Sequence, residues 1–187
     1  MHSVKNQWRT PRCLFNYLNN LHFFSIDGCS NGVDSQCHFF IGDYQGDDEE
    51  IKSGQMFGDF LGDFELLSEA LDRFIDEHFD LPHFFVNPPY SNPLPFVERA
   101  IELKKAGYLV VMVLPQDLST KWGALVAKHA SEILFITGSR VAFIHPKTGE
   151  AGGSPSKGTM VAFFDPRKQS VGNVGFVEWQ HIEKWGQ

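Results

Sequence analysis

In Phe84-Phe85-Val86-Asn87-Pro88-Pro89-Tyr90 an apolar run ends abruptly in Asn-Pro-Pro-Tyr. The run is short, apolar and closed by prolines, so it reads as a buried strand. Each proline locks φ and removes an N–H, which stops the strand. The residue before a proline is also pushed out of the helical region. Asn87 therefore sits in a stiff turn at the carboxyl end of a strand, where open α/β sheets bind ligands. A polar amide, free proline carbonyls and the aromatic face of Tyr90 are held there rigidly. That set suits a planar, amine-bearing group such as a nucleobase.

Upstream, Thr10-Pro11 precedes Leu14, Phe15 and Leu18 at helical spacing, so Thr10 is the expected N-cap and Pro11 the first helical residue. His22 to Asp27 reads as a strand ending in a carboxylate, followed by the small-residue turn Gly28-Cys29-Ser30-Asn31-Gly32. That arrangement is similar to the first ligand-binding loop of a doubly wound sheet. His38 to Ile41 is a second expected strand, ending near Asp43, and Tyr44 to Gly62 shows no periodicity and reads as loop. From Glu65 to Glu77 the residues Leu66, Leu67, Ala70, Leu71, Phe74 and Ile75 form one helical stripe.

Downstream, Pro95 to Lys105 reads as a helix ended by Gly107, and Tyr108 to Leu114 as the most continuous buried strand. Ser119 is the expected cap of a helix through Trp122, Leu125, Val126 and His129, and Ile133 to Ile136 is a further strand. Val141 to Ile144 and Thr159 to Phe164 read as a terminal hairpin around the loop Pro146 to Gly158, and Val174 to Trp179 as an edge strand. Strands alternating with helices indicate an α/β fold with a mostly parallel sheet and a C-terminal antiparallel hairpin.

The 187 residues are 42% apolar and 21% charged, the balance of an ordinary soluble domain, and one domain spanning 1–187 is expected. No run reaches the length of a membrane span. Three cysteines do not make a disulfide framework, and a reducing cytoplasm, without a signal peptide, is the expected location. Cys29, Cys37 and His38 fit no zinc spacing, so no metal is expected. The net charge of −7 is unevenly spread. Thirteen acids and two bases lie between Asp43 and Asp80, leaving ten acids and fourteen bases elsewhere. The segment 44–80 thus reads as an acidic insertion, either solvated and turned from any polyanion or an arm for a basic protein partner. Lys147, Lys157, Arg167 and Lys168 are candidate phosphate contacts, as are Lys121 and Arg140.

Taken together, Trp8-Arg9-Thr10-Pro11, Asp27 in its small-residue turn and Asn87-Pro88-Pro89-Tyr90-Ser91 resemble the bacteriophage DNA N6-adenine methyltransferases, the phage Dam-like group. Val111-Met112-Val113-Leu114-Pro115, Thr120-Lys121-Trp122, Glu132 to Ile136 and Ser154-Pro155-Ser156 extend the resemblance over most of the chain. It implies a Rossmann-like methyltransferase fold, S-adenosylmethionine as donor, adenine in DNA as acceptor and the cytoplasm of a bacterial host as location. It places the catalytic tetrad at Asn87, Pro88, Pro89 and Tyr90. Donor contacts fall at Thr10, Pro11 and Asp27, with Asp43 and Asp63 as additions. Asp59-Phe60 and Asp63-Phe64 both match the acid-aromatic pair that holds the donor's adenine, and Asp63 is the preferred one.

The exocyclic amine of adenine is a poor nucleophile, because its lone pair is delocalised into the ring. Two neutral acceptors, the Asn87 side-chain oxygen and the Pro88 carbonyl, take its two hydrogens and direct the lone pair toward the methyl group. The base must first leave the duplex, at a cost of roughly a few kcal/mol. Stacking on Tyr90 offsets roughly 1–3 kcal/mol of that. Two alternatives stay open: the same fold acting on RNA adenine or a protein glutamine, and a non-catalytic module that works through the acidic segment 43–80.

Overall fold

The structure is a computed structural model that describes residues 8–152, 155–168 and 172–187. The expected Ser154-Pro155-Ser156 stretch begins outside the described residues. Among those described, six helices and eight strands form a mixed α/β protein with one sheet, in the order β3-β2-β1-β4-β5-β7-β6-β8. The strands are β1 (Ile26–Asp27), β2 (Phe39–Ile41), β3 (Gln55–Phe57), β4 (His83–Val86), β5 (Leu109–Pro115), β6 (Glu132–Thr137), β7 (Thr159–Phe164) and β8 (Asn173–Glu178). All run parallel except β7, which is antiparallel to both its neighbours.

Side chains alternate across this sheet as the period of two requires. Phe84 and Val86 face a core with Ile26, Val110, Met112, Met160 and Phe164. Onto it pack α3 (Phe64–His78), α4 (Leu94–Lys105) and α5 (Lys121–His129), through Leu67, Leu71, Val97, Leu103, Trp122 and Val126. Phe85, Val111, Val113, Val161 and Phe163 face the other side, covered by Leu14, Phe15 and Leu18 of α1 (Arg12–His22) and Ile182 of α6 (Trp179–Trp185). The near-continuous apolar reading of β5 and β7 follows from burial on both faces.

Several expectations need correction. The terminal hairpin does not form between Val141–Ile144 and Thr159–Phe164. A strand buried along its whole length has two edges to satisfy, and β7 does so by pairing with β5 on one side and β6 on the other. Ile144 instead makes isolated bridges to Arg9 and Ala151. Tyr44 to Gly62 is not only loop. It contains α2 (Glu49–Ser53), whose N-terminal amides bond the Asp48 side chain, and β3, which extends the sheet beyond β2. The acidic segment 44–80 is thereby built into the sheet edge and its α3 covering, rather than appended to them.

Smaller corrections concern caps and faces. Thr10 does not cap α1; the N-cap is Pro11, without a side-chain bond. Thr120, not Ser119, caps α5, because the Ser119 hydroxyl donates to Asp117. Leu66 points out of the α3 stripe and is largely exposed. Gly107 ends the turn after α4 as expected, at φ 101°, a conformation that favours glycine. Among the described residues no helix is long and apolar enough to cross a membrane.

Candidate active site

Sequence order reverses between β1 and β4, so the sheet has its switch point there. A ligand crevice is expected beyond the carboxyl ends of strands at that point. Asp27 closes β1 and Asn87 follows β4, so both stand at this crevice. Asp27 pairs in register with Phe85, and the Gly28 amide donates to the Phe85 carbonyl at 2.8 Å.

Asp27 is 4% exposed. Its two oxygens accept from the backbone amides of Cys29 (3.2 Å) and Gln36 (3.0 Å). Burial pushes its pKa up to about 7, against the pull of those two amides and with a further push from Asp34. Among the described residues no lysine or arginine forms an ion pair with it. A buried carboxylate without a cation is costly, and a cationic ligand group would supply the missing charge. Burial raises the thiol pKa of both Cys29 and Cys37, so neither is set up as a thiolate.

Gln36 joins this acid to the N-terminal segment. Its backbone amide holds Asp27, while its side chain donates to the Thr10 carbonyl at 3.2 Å and accepts from Arg12 at 2.7 Å. Thr10 is almost fully buried, and its hydroxyl has no hydrogen-bond partner. Pro11 is buried beside it. No sequence signal marks Gln36, which lies in an irregular polar loop.

Asn87 donates through Nδ2 to the Trp8 carbonyl at 3.0 Å, and its Oδ1 is buried without a partner. Pro88 is buried, and Pro89 and Tyr90 are half-buried. The Tyr90 ring meets Phe143 edge-on at 5.5 Å. Its hydroxyl is buried and unpartnered, and burial raises its pKa. Tyr90 also lines a cleft of about 460 Å³ with Pro93, Pro115 and Trp122, and Asp117 and Lys157 are among its polar groups. Lys157 and Asp117 form an ion pair within that lining.

The remaining acids sort by strand. Asp43 is exposed just past β2. Asp63 is exposed and caps α3, accepting from Glu65 and Leu66. Asp59 follows β3 and acts on the Cys29 thiol. The buried Phe60 ring fills the space where a Gly28 side chain would stand, 3.0 Å from that position. Of the two acid-aromatic pairs, Asp59-Phe60 therefore adjoins the Asp27 turn, and Asp63 is engaged in capping a helix. Arg99 fixes this loop by donating to the Phe60 and Gly62 carbonyls, each at 2.7 Å.

Most candidate phosphate contacts are already engaged. Arg167 binds Asp165, Lys168 binds Glu132, Lys157 binds Asp117, and Arg140 donates to the Pro155 carbonyl. Lys121 and Lys147 are exposed.

The chain is similar to known proteins. A family model described as DNA N-6-adenine-methyltransferase (Dam) matches residues 67–187, which include the Asn87–Tyr90 turn. A DNA N-6-adenine-methyltransferase of Haemophilus phage HP1 is 32% identical over 168 residues, covering 88% of this chain and 82% of its own. One of Escherichia phage T1 is 26% identical over 187 residues, covering 92% of this chain and 67% of its own. The chain belongs to the DNA N-6-adenine-methyltransferase (Dam) family.

Proposed function

We propose that the chain transfers a methyl group from S-adenosylmethionine to the N6 amine of adenine in DNA, on a Rossmann-like methyltransferase fold. The observation that carries this reading is the Asn87 side chain: a buried amide oxygen with no partner, in a turn stiffened by two prolines. An unsatisfied buried acceptor is costly, and the amine of a bound base would satisfy it.

The donor side fits a cationic, adenine-bearing group. Asp27 offers a buried negative charge, Thr10 an unpartnered buried hydroxyl, and Gly28 a close backbone approach between Val86 and Phe60. Pro11 shapes the wall beside Thr10, and Asp59-Phe60 stands where a donor's ribose and adenine would be held. Asp43 lies at the same edge of the sheet, whereas Asp63 serves the fold. When bound, the donor supplies an electrophilic methyl group.

The chain supplies orientation. Asn87 Oδ1 and the Pro88 carbonyl accept the two amine hydrogens, which draws the lone pair out of conjugation with the ring. Tyr90 presents its face to the adenine after the base leaves the helix stack, with the cleft toward Trp122 and Pro93 receiving it. Alignment of this kind is worth up to roughly 7–11 kcal/mol in favourable cases. Incubation with methyl-labelled S-adenosylmethionine and duplex DNA tests the reading. Label in adenine is expected, and DNA left unlabelled at high enzyme concentration would refute it.

A further inference from the structure

The amide of Asn87 has two orientations, and only one leaves its oxygen free for an amine. The choice is made by a residue outside the matched family segment. The Trp8 carbonyl lies 3.0 Å from Asn87 Nδ2, and a carbonyl there accepts from the amide's NH₂ but repels its oxygen. Oδ1 is thereby turned the other way, into the position where it has no partner.

The Trp8 carbonyl is itself held. Arg9, the next residue, is stitched to Ile144 by two backbone bonds of 3.0 and 2.9 Å. The Trp8 ring stands edge-on to His145 at 5.0 Å. It also fills the space above Gly152, where an added Cβ would lie 2.2 Å from the ring. The same loop carries Phe143, which supports the Tyr90 ring. One buttress therefore serves both the amide and the aromatic platform.

We propose that Trp8 is a positioning residue for methyl transfer, acting through Asn87: its anchored carbonyl commits the amide to present Oδ1 to the target amine. This rests on the reading of Asn87 as the acceptor of that amine. Asp27 is held by the amides of Cys29 and Gln36 and not by Trp8, so kcat and donor KM report on different contacts.

The test compares kcat and donor KM for Trp8→Ala, Trp8→Phe and Gly152→Ala, each alone and combined with Asn87→Asp. Asp keeps an acceptor oxygen at residue 87 but has no N–H for the Trp8 carbonyl to hold. Trp8→Ala and Gly152→Ala are expected to lower kcat roughly tenfold with donor KM nearly unchanged, and Trp8→Phe to restore most of the loss. Combined with Asn87→Asp, both substitutions are expected to lose most of their effect on kcat, the remainder reflecting the Tyr90 support through Phe143. An equal fold-loss with and without Asn87→Asp would overturn the proposal, as would a loss confined to donor KM. Gly152→Ala displaces the Trp8 ring without removing it and decides the matter if Trp8→Ala does not fold. An unsubstituted chain that methylates no DNA would instead overturn the underlying reading of Asn87, and that result is seen before any variant is made.

Discussion

Arg99 on α4 donates one arm of its guanidinium to the carbonyl of Phe60, 39 residues earlier, at 2.7 Å. A second arm donates to the Gly62 carbonyl, and Glu102 accepts from the Nε–H at 2.9 Å. This fork binds the β3–α3 connection to the helix that follows the Asn-Pro-Pro-Tyr turn. Phe60 is thus held against Gly28 by a residue with no place in the ligand crevice.

Arg99→Ala leaves two carbonyls short of their donors. Charge-assisted bonds contribute about 1.5–3 kcal/mol each, so a loss of roughly 3–6 kcal/mol is expected in denaturant unfolding. Donor KM is expected to rise as the Phe60 loop loosens. Arg99→Lys should rescue little, because an ammonium lacks the planar fork that spans both carbonyls. Full rescue by lysine would count against this role.

The pKa of Asp27, raised to about 7, sets a pH dependence. In the unfolded chain the group has an ordinary pKa near ~3.9. Between these values the folded state holds the proton more tightly, so its contribution to stability is present below about pH 4 and is lost as pH rises through about 7. The loss is on the order of a few kcal/mol. A cationic donor bound at Asp27, as proposed, would stabilise the carboxylate and flatten the decline. Denaturant melts at acid and neutral pH, with and without S-adenosylmethionine and beside Asp27→Asn, check this. A decline equally steep in Asp27→Asn would show that another group causes it.

Gly42 is packed against the Ser30 carbonyl, and an added Cβ would sit 1.6 Å from that oxygen. Backbone must shift to admit it. Gly42→Ala is therefore expected to destabilise the protein by roughly 1–3 kcal/mol and to weaken donor binding by displacing the loop after Asp27. A variant as stable as the parent, with unchanged donor affinity, would contradict the packing described.

Tyr90 carries a buried hydroxyl without a partner and a ring braced by Phe143. Tyr90→Phe keeps the platform and removes the unpaired group, so stability should hold or improve by up to about 1 kcal/mol, with methylation within severalfold of the parent. Tyr90→Ala removes the platform and should cost roughly 1–3 kcal/mol in transition-state stabilisation, measured as kcat/KM on duplex DNA. Equal losses in both variants would assign the role to the hydroxyl instead.

The parts legible in the sequence were those with a local physical cause. Phe84 to Tyr90 announced strand and turn because an apolar run met two prolines, and α3 announced itself through its stripe. Asp27 stood out as a carboxylate at a strand end before small residues. β3 did not, because Gln55-Met56-Phe57 is three residues long and surrounded by acids and glycines. The pairing of β7 with β5 joins Thr159 to Pro115 across intervening elements, a contact no local pattern encodes. Asp59-Phe60 and Asp63-Phe64 could not be told apart in the sequence, because an acid before an aromatic serves a loop or a helix cap as readily as a ligand. The bond to Asn87 comes from the Trp8 carbonyl and one bond to Asp27 from the Gln36 amide, backbone groups that every residue carries, so side-chain chemistry does not mark these contacts.

The central claim is that Asn87 presents an acceptor to the adenine amine. Its most direct measurement is nucleoside-resolved mass spectrometry of methyl-labelled DNA, RNA and protein exposed to the chain and to Asn87→Ala. N6-methyladenine in DNA is expected from the unsubstituted chain, reduced at least roughly a hundredfold by Asn87→Ala with donor binding retained. Label in RNA or protein alone, or undiminished DNA methylation by Asn87→Ala, would contradict it.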